Sequence, residues 1–193
     1  MPCSPTSGPV RRSLRVVRHD PATRKDSPYR RSASPTDTWV VATIRALLDN
    51  GAADLVVLED ACEEALRSAR APGWTCMIVT NGRAAQREAK IRNTGLDRLV
   101  HGWVVSETVG REKPAPEIFR AAADIARLPL RDAWVIGDSP QADIAGAVAL
   151  GLRSMWISHN RTWSQAAYQP TDVAGEVASA IRRILRRDAL ERL

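Results

Sequence analysis

The sequence has no run approaching the ~20 apolar residues that a membrane helix needs, and no apolar stretch after its basic start that would read as a secretory signal. Cysteine is scarce. Cys3, Cys62 and Cys76 are scattered, form no CxxC pair, and in their odd number argue against a disulfide framework. They read as ordinary reduced thiols of a cytoplasmic protein. His19, His101 and His159 are equally dispersed and show no metal-ligand spacing. Internal repeats are absent. The six Trp residues have no stacking pattern, and Trp74, Trp103, Trp134 and Trp156 lie in or near apolar runs and read as core.

What is present is a chain of 193 residues with 44% apolar residues, enough for one cored domain with a small appendage. Its formal charge of +6 is not spread evenly. Residues 1–36 hold seven Arg and one Lys against Asp20 and Asp26, and so account for all of the excess. The remainder balances, with 20 basic and 20 acidic residues. The leader is also rich in Pro and Ser, and such a segment cannot bury enough apolar surface to offset its ordering entropy. It is expected to stay disordered as a solvated tail. An arm that binds nucleic acid, an organelle transit peptide and a misplaced start share this composition, and the sequence leaves them open. The balanced charge elsewhere argues against a nucleic-acid partner, and the Arg182, Arg183, Arg186 and Arg187 group reads as a solvated helix face.

Beyond the leader, Thr38–Asn50 places Val40, Ile44, Leu47 and Leu48 on one helical face, with Asp37 as cap and Gly51 as stop. A second helix is expected from about Glu59 to Arg70, broken by Pro72-Gly73. Short apolar strands then alternate with helices: strands at Trp74–Thr80, Trp103–Ser106, Ala133–Gly137 and Ser154–Ile157, and helices at Ala84–Thr94, Pro116–Ala126 and Ile144–Ala149. A short strand at Asp172–Val173 and an amphipathic helix over Glu176–Arg187 close the chain. This alternation predicts an α/β fold, a parallel sheet covered on both faces. In such sheets ligands bind beyond the carboxyl ends of the strands.

Three groups of polar residues follow strands directly. Thr80-Asn81-Gly82 offers a hydroxyl, an amide and turn N–H groups, which suit the non-bridging oxygens of a phosphate; the same tripeptide also serves as a plain turn. Lys113, in REKPAP, sits where a loop meets a helix and can act as a fixed point charge, although a surface lysine beside a proline turn is the commoner case. In VIGDSPQAD, Asp138 ends a strand and Asp143 opens a helix. Two carboxylates there can share a hard divalent cation, or Asp143 can simply cap the helix.

The order and spacing of these groups resemble motifs two, three and four of the haloacid dehalogenase superfamily. The intervening text, QREAKIRNTG, SETVGREKPAPEIF and GDSPQADIAGAVALGLRSMWI, is similar to the same family, and the likeness covers residues 55–187. Thr80 and GDSPxxD look more like its phosphatases than its dehalogenases. The resemblance implies a doubly wound, Rossmann-like parallel sheet. It also implies that Thr80, Asn81 and Gly82 contact the phosphate, that Lys113 neutralises it, and that Asp138 ligates Mg²⁺ with Asp143 as a further or supporting metal-site carboxylate.

The family's first motif, DxDxT, occurs nowhere in the sequence. Its first Asp is the nucleophile, and its second is the general acid and base. The nearest substitute is Asp20 in LRVVRHDPAT, followed by Pro21 and Ala22. The expectation is therefore a sheet incomplete at its amino-terminal strand, unless residues 14–18 fill it or a second copy lends a strand in a homo-oligomer. Residues 37–58 are expected as the remnant of a cap, and 59–193 as the core.

The resemblance implies a Mg²⁺-dependent phosphatase acting on a small phosphorylated metabolite, inactive if no nucleophile is supplied. The alternative is a non-catalytic relative that binds phosphate, metal or a protein partner. A receiver-like signalling domain also uses Asp, Thr and Lys at strand ends, but GDSPxxD speaks against it.

Overall fold

The computed structural model describes residues 39–42 and 57–191. The first described strand, β1 (Trp39–Ala42), is followed by helix α1 (Asp60–Arg70), β2 (Thr75–Thr80), α2 (Ala84–Asn93) and β3 (Gly102–Val105). Next come the single-turn α3 (Ser106–Val109), α4 (Pro116–Ala126), β4 (Ala133–Gly137), α5 (Ala145–Ala149), β5 (Arg153–Ile157), β6 (Asp172–Ala174) and α6 (Val177–Glu191). Among the described residues six strands form one sheet in the order β3-β2-β1-β4-β5-β6, with every neighbour pair parallel. This is the strand order of a dinucleotide-type doubly wound fold, and it differs from the 2-1-3-4-5 order of receiver domains.

Alternate strand residues feed two apolar layers. Cys76, Ile78, Trp134 and Ile136 pack with Leu66 and Ala69 of α1 and with Ile181 and Ile184 of α6. Met77, Val79, Ala133 and Val135 pack with Ile118, Phe119 and Ala122 of α4 and with Ala147 of α5. Helices cover both faces, so the strands are apolar on both sides, as the continuous TCMIVT and AWVIG runs require.

The segment Trp39–Ala42 corrects the helix expected over Thr38–Asn50. It is a strand, and it lies between β2 and β4, with Ala42 opposite Ile78 on one side and Ile136 on the other. Four residues of the stretch expected as a cap remnant thus belong to the core sheet. A run of Trp, Val and Val suits a strand as well as one turn of a helix, and pairing on both edges decides between them. The gap that motivated a substitute strand or a borrowed one is filled by this chain's own residues. Residues 14–20, Asp20 among them, and residues 43–50 lie outside the described residues.

Most other boundaries match to within a residue or two. The helix expected at Ile144–Ala149 is preceded by a wide π-type turn, Pro140–Ile144, in which Asp143 and Ile144 N–H groups both point to Ser139 O at 3.0 and 3.3 Å.

Candidate active site

The sequence-predicted residues converge at the carboxyl ends of β2 and β4, on either side of β1. This is where strand order reverses, and where a doubly wound sheet opens a crevice. Thr80 is the last residue of β2 and is buried. Its hydroxyl makes a single long hydrogen bond, 3.3 Å to Asn81 O.

Lys113 enters from the loop before α4 and is buried together with Asp143. Its ammonium donates to Asp143 Oδ1 at 2.7 Å and to Val79 O at 2.9 Å. The two side chains are 1% and 0% exposed, so the pair is shielded from water and held by geometry. The lysine charge is thereby fixed beside the end of β2, one residue from Thr80.

Asn81, expected at the phosphate, is hydrogen-bonded to the lysine loop. Its amide donates to Lys113 O at 3.1 Å and its Oδ1 accepts from Lys113 N at 2.8 Å. The amide therefore clamps the lysine loop, whose Lys113–Pro114 bond is cis, against the end of β2. Gly82 adopts φ +131°, a conformation that L side chains rarely take. Its N–H donates to the buried Ser106 Oγ at 2.9 Å, and Arg87 Nε donates to Asn81 O at 2.9 Å. Ser106 and Arg87 were not singled out in the sequence. Only the fold brings them under the Thr-Asn-Gly turn.

Asp143 is not the helix cap. That role falls to Ser139, whose Oγ accepts from Ala142 N at 3.1 Å. Asp143 is fully buried, and both of its oxygens are taken, Oδ1 by Lys113 and Oδ2 by Ser139 N at 3.0 Å. The carboxylate anchors the lysine. Its approach depends on Gly137, where a Cβ would overlap the Asp143 carboxyl group.

Asp138 has the complementary property. Its carbonyl oxygen is doubly bonded, by Trp156 Nε1 at 3.2 Å and Arg161 Nη2 at 2.8 Å. Its side-chain Oδ1 is buried and has no hydrogen-bond partner. A buried carboxylate oxygen left in this way is costly, and a hard cation satisfies it. Mg²⁺ is commonly held by one or two carboxylates with water and substrate phosphate completing the shell, so Asp138 fits as a ligand. Among the described residues no three His, Cys, Asp or Glu side chains gather to hold a metal.

Comparisons with known proteins place the chain in a family. The family model of the haloacid dehalogenase-like hydrolases matches residues 24–151, well over half of the chain. The chain belongs to the haloacid dehalogenase-like hydrolase family. It is 33% identical over 95 residues to a phosphoserine phosphatase of Thermus thermophilus, a match spanning 49% of this chain and 38% of that protein. It is 27% identical over 138 residues to a glyceraldehyde 3-phosphate phosphatase of Pyrococcus abyssi, spanning 72% of this chain and 55% of that one. Among solved structures, the Bacillus subtilis protein YfnB, named as a HAD-hydrolase and bound to magnesium, superposes with a TM-score of 0.59 at 27% identity, covering 66% of this chain and 56% of that one. The chain thus spans about half the length of the curated relatives it matches. HAD-type membership accounts for the βα order of Thr80, Lys113 and Asp138 and for the Rossmann-like sheet.

His159 lines a cavity of about 350 Å³ together with Glu59, Cys62, Asn160 and Glu176. Burial pushes the Cys62 thiol up to about 11 and the Cys76 thiol to about 12. Both are core residues, and such thiols are poor nucleophiles. No helix among the described residues is long and apolar enough to cross a membrane.

Proposed function

We propose that this chain carries the phosphate- and Mg²⁺-binding part of a HAD-type phosphatase site, acting on a small phosphate monoester in the cytoplasm. The observation that carries the reading is the pairing, across β1, of a fixed buried cation at Lys113 with an unsatisfied carboxylate oxygen at Asp138. A phosphate between them meets positive charge on the Lys113 side and the Thr80 hydroxyl beside it. Asp138 would hold Mg²⁺, which when bound would supply positive charge to the phosphate. Asp143 and Asn81 keep the lysine in place. The names of the matched relatives, phosphatases of phosphoserine, glyceraldehyde 3-phosphate and other small metabolites, support this substrate class.

A second reading rests on one specific observation. β1 lies between β2 and β4, beside Thr80 and Asp138, yet the sequence after Ala42 continues Thr43-Ile44-Arg45, with no DxDxT, and the first carboxylate beyond it is Asp49. A binding protein that retains the phosphate and cation sites without the covalent step fits that sequence. Hydrolysis of p-nitrophenyl phosphate by the purified chain separates the two. We expect Mg²⁺-dependent turnover that is lost with a chelator and in Asp138→Asn. A folded chain that binds phosphate and Mg²⁺ but shows no turnover above Asp138→Asn would establish the non-catalytic reading. Failure to bind either ligand would overturn both.

A further inference from the structure

Beyond β5 the chain reverses through two consecutive residues with left-handed backbone, His159 at φ 47° and Asn160 at φ 63°. Neither is glycine, so the turn must be held by what surrounds it. Arg161 N–H closes it on Ser158 O at 2.9 Å. The guanidinium then folds back over the Trp156 ring, 5.5 Å from its centroid, and Trp163 packs edge-on against the same ring at 5.0 Å. Arg161 Nε donates to Ser158 O at 2.9 Å, and Arg161 Nη2 donates to Ile157 O at 3.1 Å and to Asp138 O at 2.8 Å.

The first two carbonyls belong to Arg161's own turn and would suffice to anchor it. The third belongs to Asp138, the residue just past the end of β4 and 23 residues earlier in the chain. That carbonyl is also the acceptor for Trp156 Nε1. The peptide joining Asp138 to Ser139 is therefore gripped on both sides. Its oxygen accepts from Arg161 and Trp156, and its N–H donates to Asp143 Oδ2, whose other oxygen holds Lys113. Hydrogen bonds in such a chain polarise one another, and a peptide plane fixed at both ends cannot rotate. The Asp138 side chain leaves from the Cα at one end of this plane.

We propose that Arg161 is a positioning residue for the cation site. By fixing the 138–139 peptide it aims the Asp138 carboxylate and keeps Asp143 seated on Lys113. The inference rests on the Mg²⁺ reading of Asp138 given above, and it gives the loop after β5 a role in that site. A lysine at 161 keeps the charge and the stem over Trp156, but lacks the planar fork that spans several carbonyls.

Mn²⁺ binding by electron paramagnetic resonance on the full chain, together with the Ser139 amide shift by NMR without metal, tests it. The variants are Arg161→Lys, Arg161→Ala and Asp138→Asn. Loss of a hydrogen-bonding partner behind a ligand commonly weakens metal binding by about tenfold or more, and that loss is expected in both Arg161 variants. The Ser139 amide should move in both, with Arg161→Lys unfolding at a temperature close to the parent's, and Asp138→Asn should not bind Mn²⁺. Parent-like Mn²⁺ affinity in Arg161→Ala would overturn the proposal while leaving the cation site standing. If the parent binds no Mn²⁺, the cation reading falls and the Ser139 amide decides the brace alone: unmoved in Arg161→Ala, it overturns the brace as well.

Discussion

Lys113 Nζ lies 2.7 Å from Asp143 Oδ1 with both side chains withdrawn from solvent. Removing one partner of such a pair leaves an uncompensated buried charge and typically costs about 3–5 kcal/mol, whereas replacing both by apolar residues is far milder. Asp143→Asn and Lys113→Met are each expected to lower stability by that order. Lys113→Met combined with Asp143→Leu should lose much less than the sum. Urea denaturation of the three variants checks this, and simple additivity would show that the pair is not coupled.

Asp138 is expected to behave in the opposite way. Its Oδ1 is buried without a partner, so Asp138→Asn, which removes the charge and keeps the shape, should stabilise the metal-free protein by about 1 kcal/mol. The same variant should lose any rise in melting temperature that Mg²⁺ gives the parent, since a ligand stabilises only the state that binds it. Thermal unfolding with and without Mg²⁺ reads both effects. A destabilised metal-free Asp138→Asn would mean that the carboxylate is satisfied after all.

Gly137 is fixed by its neighbour. A methyl group there would overlap the Asp143 carboxyl, a buried group that cannot swing aside without releasing Lys113. Overpacking of this kind costs about 1–3 kcal/mol. Gly137→Ala should therefore lose stability and weaken phosphate binding together, measurable by calorimetry. An effect on stability alone would show that the lysine keeps its place when Asp143 shifts.

A pH dependence follows from His101. Burial, aided by the Arg70 guanidinium, holds its imidazole below the ordinary value of 6.5. Its Nδ1 accepts from Cys76 N–H at 3.0 Å, a bond that protonation at Nδ1 would break. With a depressed value in the fold, the unfolded chain takes up the proton first as pH falls. The stabilisation is full above about 6.5 and drains away as pH drops below it. The melting temperature should fall between pH 7 and pH 5, and His101→Gln should flatten that part of the profile. Parallel profiles for parent and variant would remove His101 as the source.

Much of the site was legible because it is local. Val-Thr-Asn-Gly and Ile-Gly-Asp-Ser each mark a strand running into a turn, and in a parallel sheet such turns gather at one end; Lys113-Pro114, expected directly after a strand, comes instead after the single-turn α3, in the loop before α4. The helices at 60–70 and 116–126 and the strands at 75–80 and 133–137 follow from apolar period and breakers. Trp39–Ala42 was not legible. Four residues carry too little period to separate strand from helix, and what selects the strand is a pair of open edges on β2 and β4 that lie far away in sequence.

The α/β class and the order of the polar groups at the sheet's carboxyl end were already written in the sequence, because these depend on short-range pattern. Tertiary structure alone decided which partner each side chain takes. It gave Asp143 to Lys113 and left Asp138 open, it turned Asn81 into a clamp, and it brought Arg161 back onto Asp138. The physical reason is that hydrogen-bond assignment in a buried site is a competition among groups from several elements, settled by packing geometry that no single stretch of chain contains.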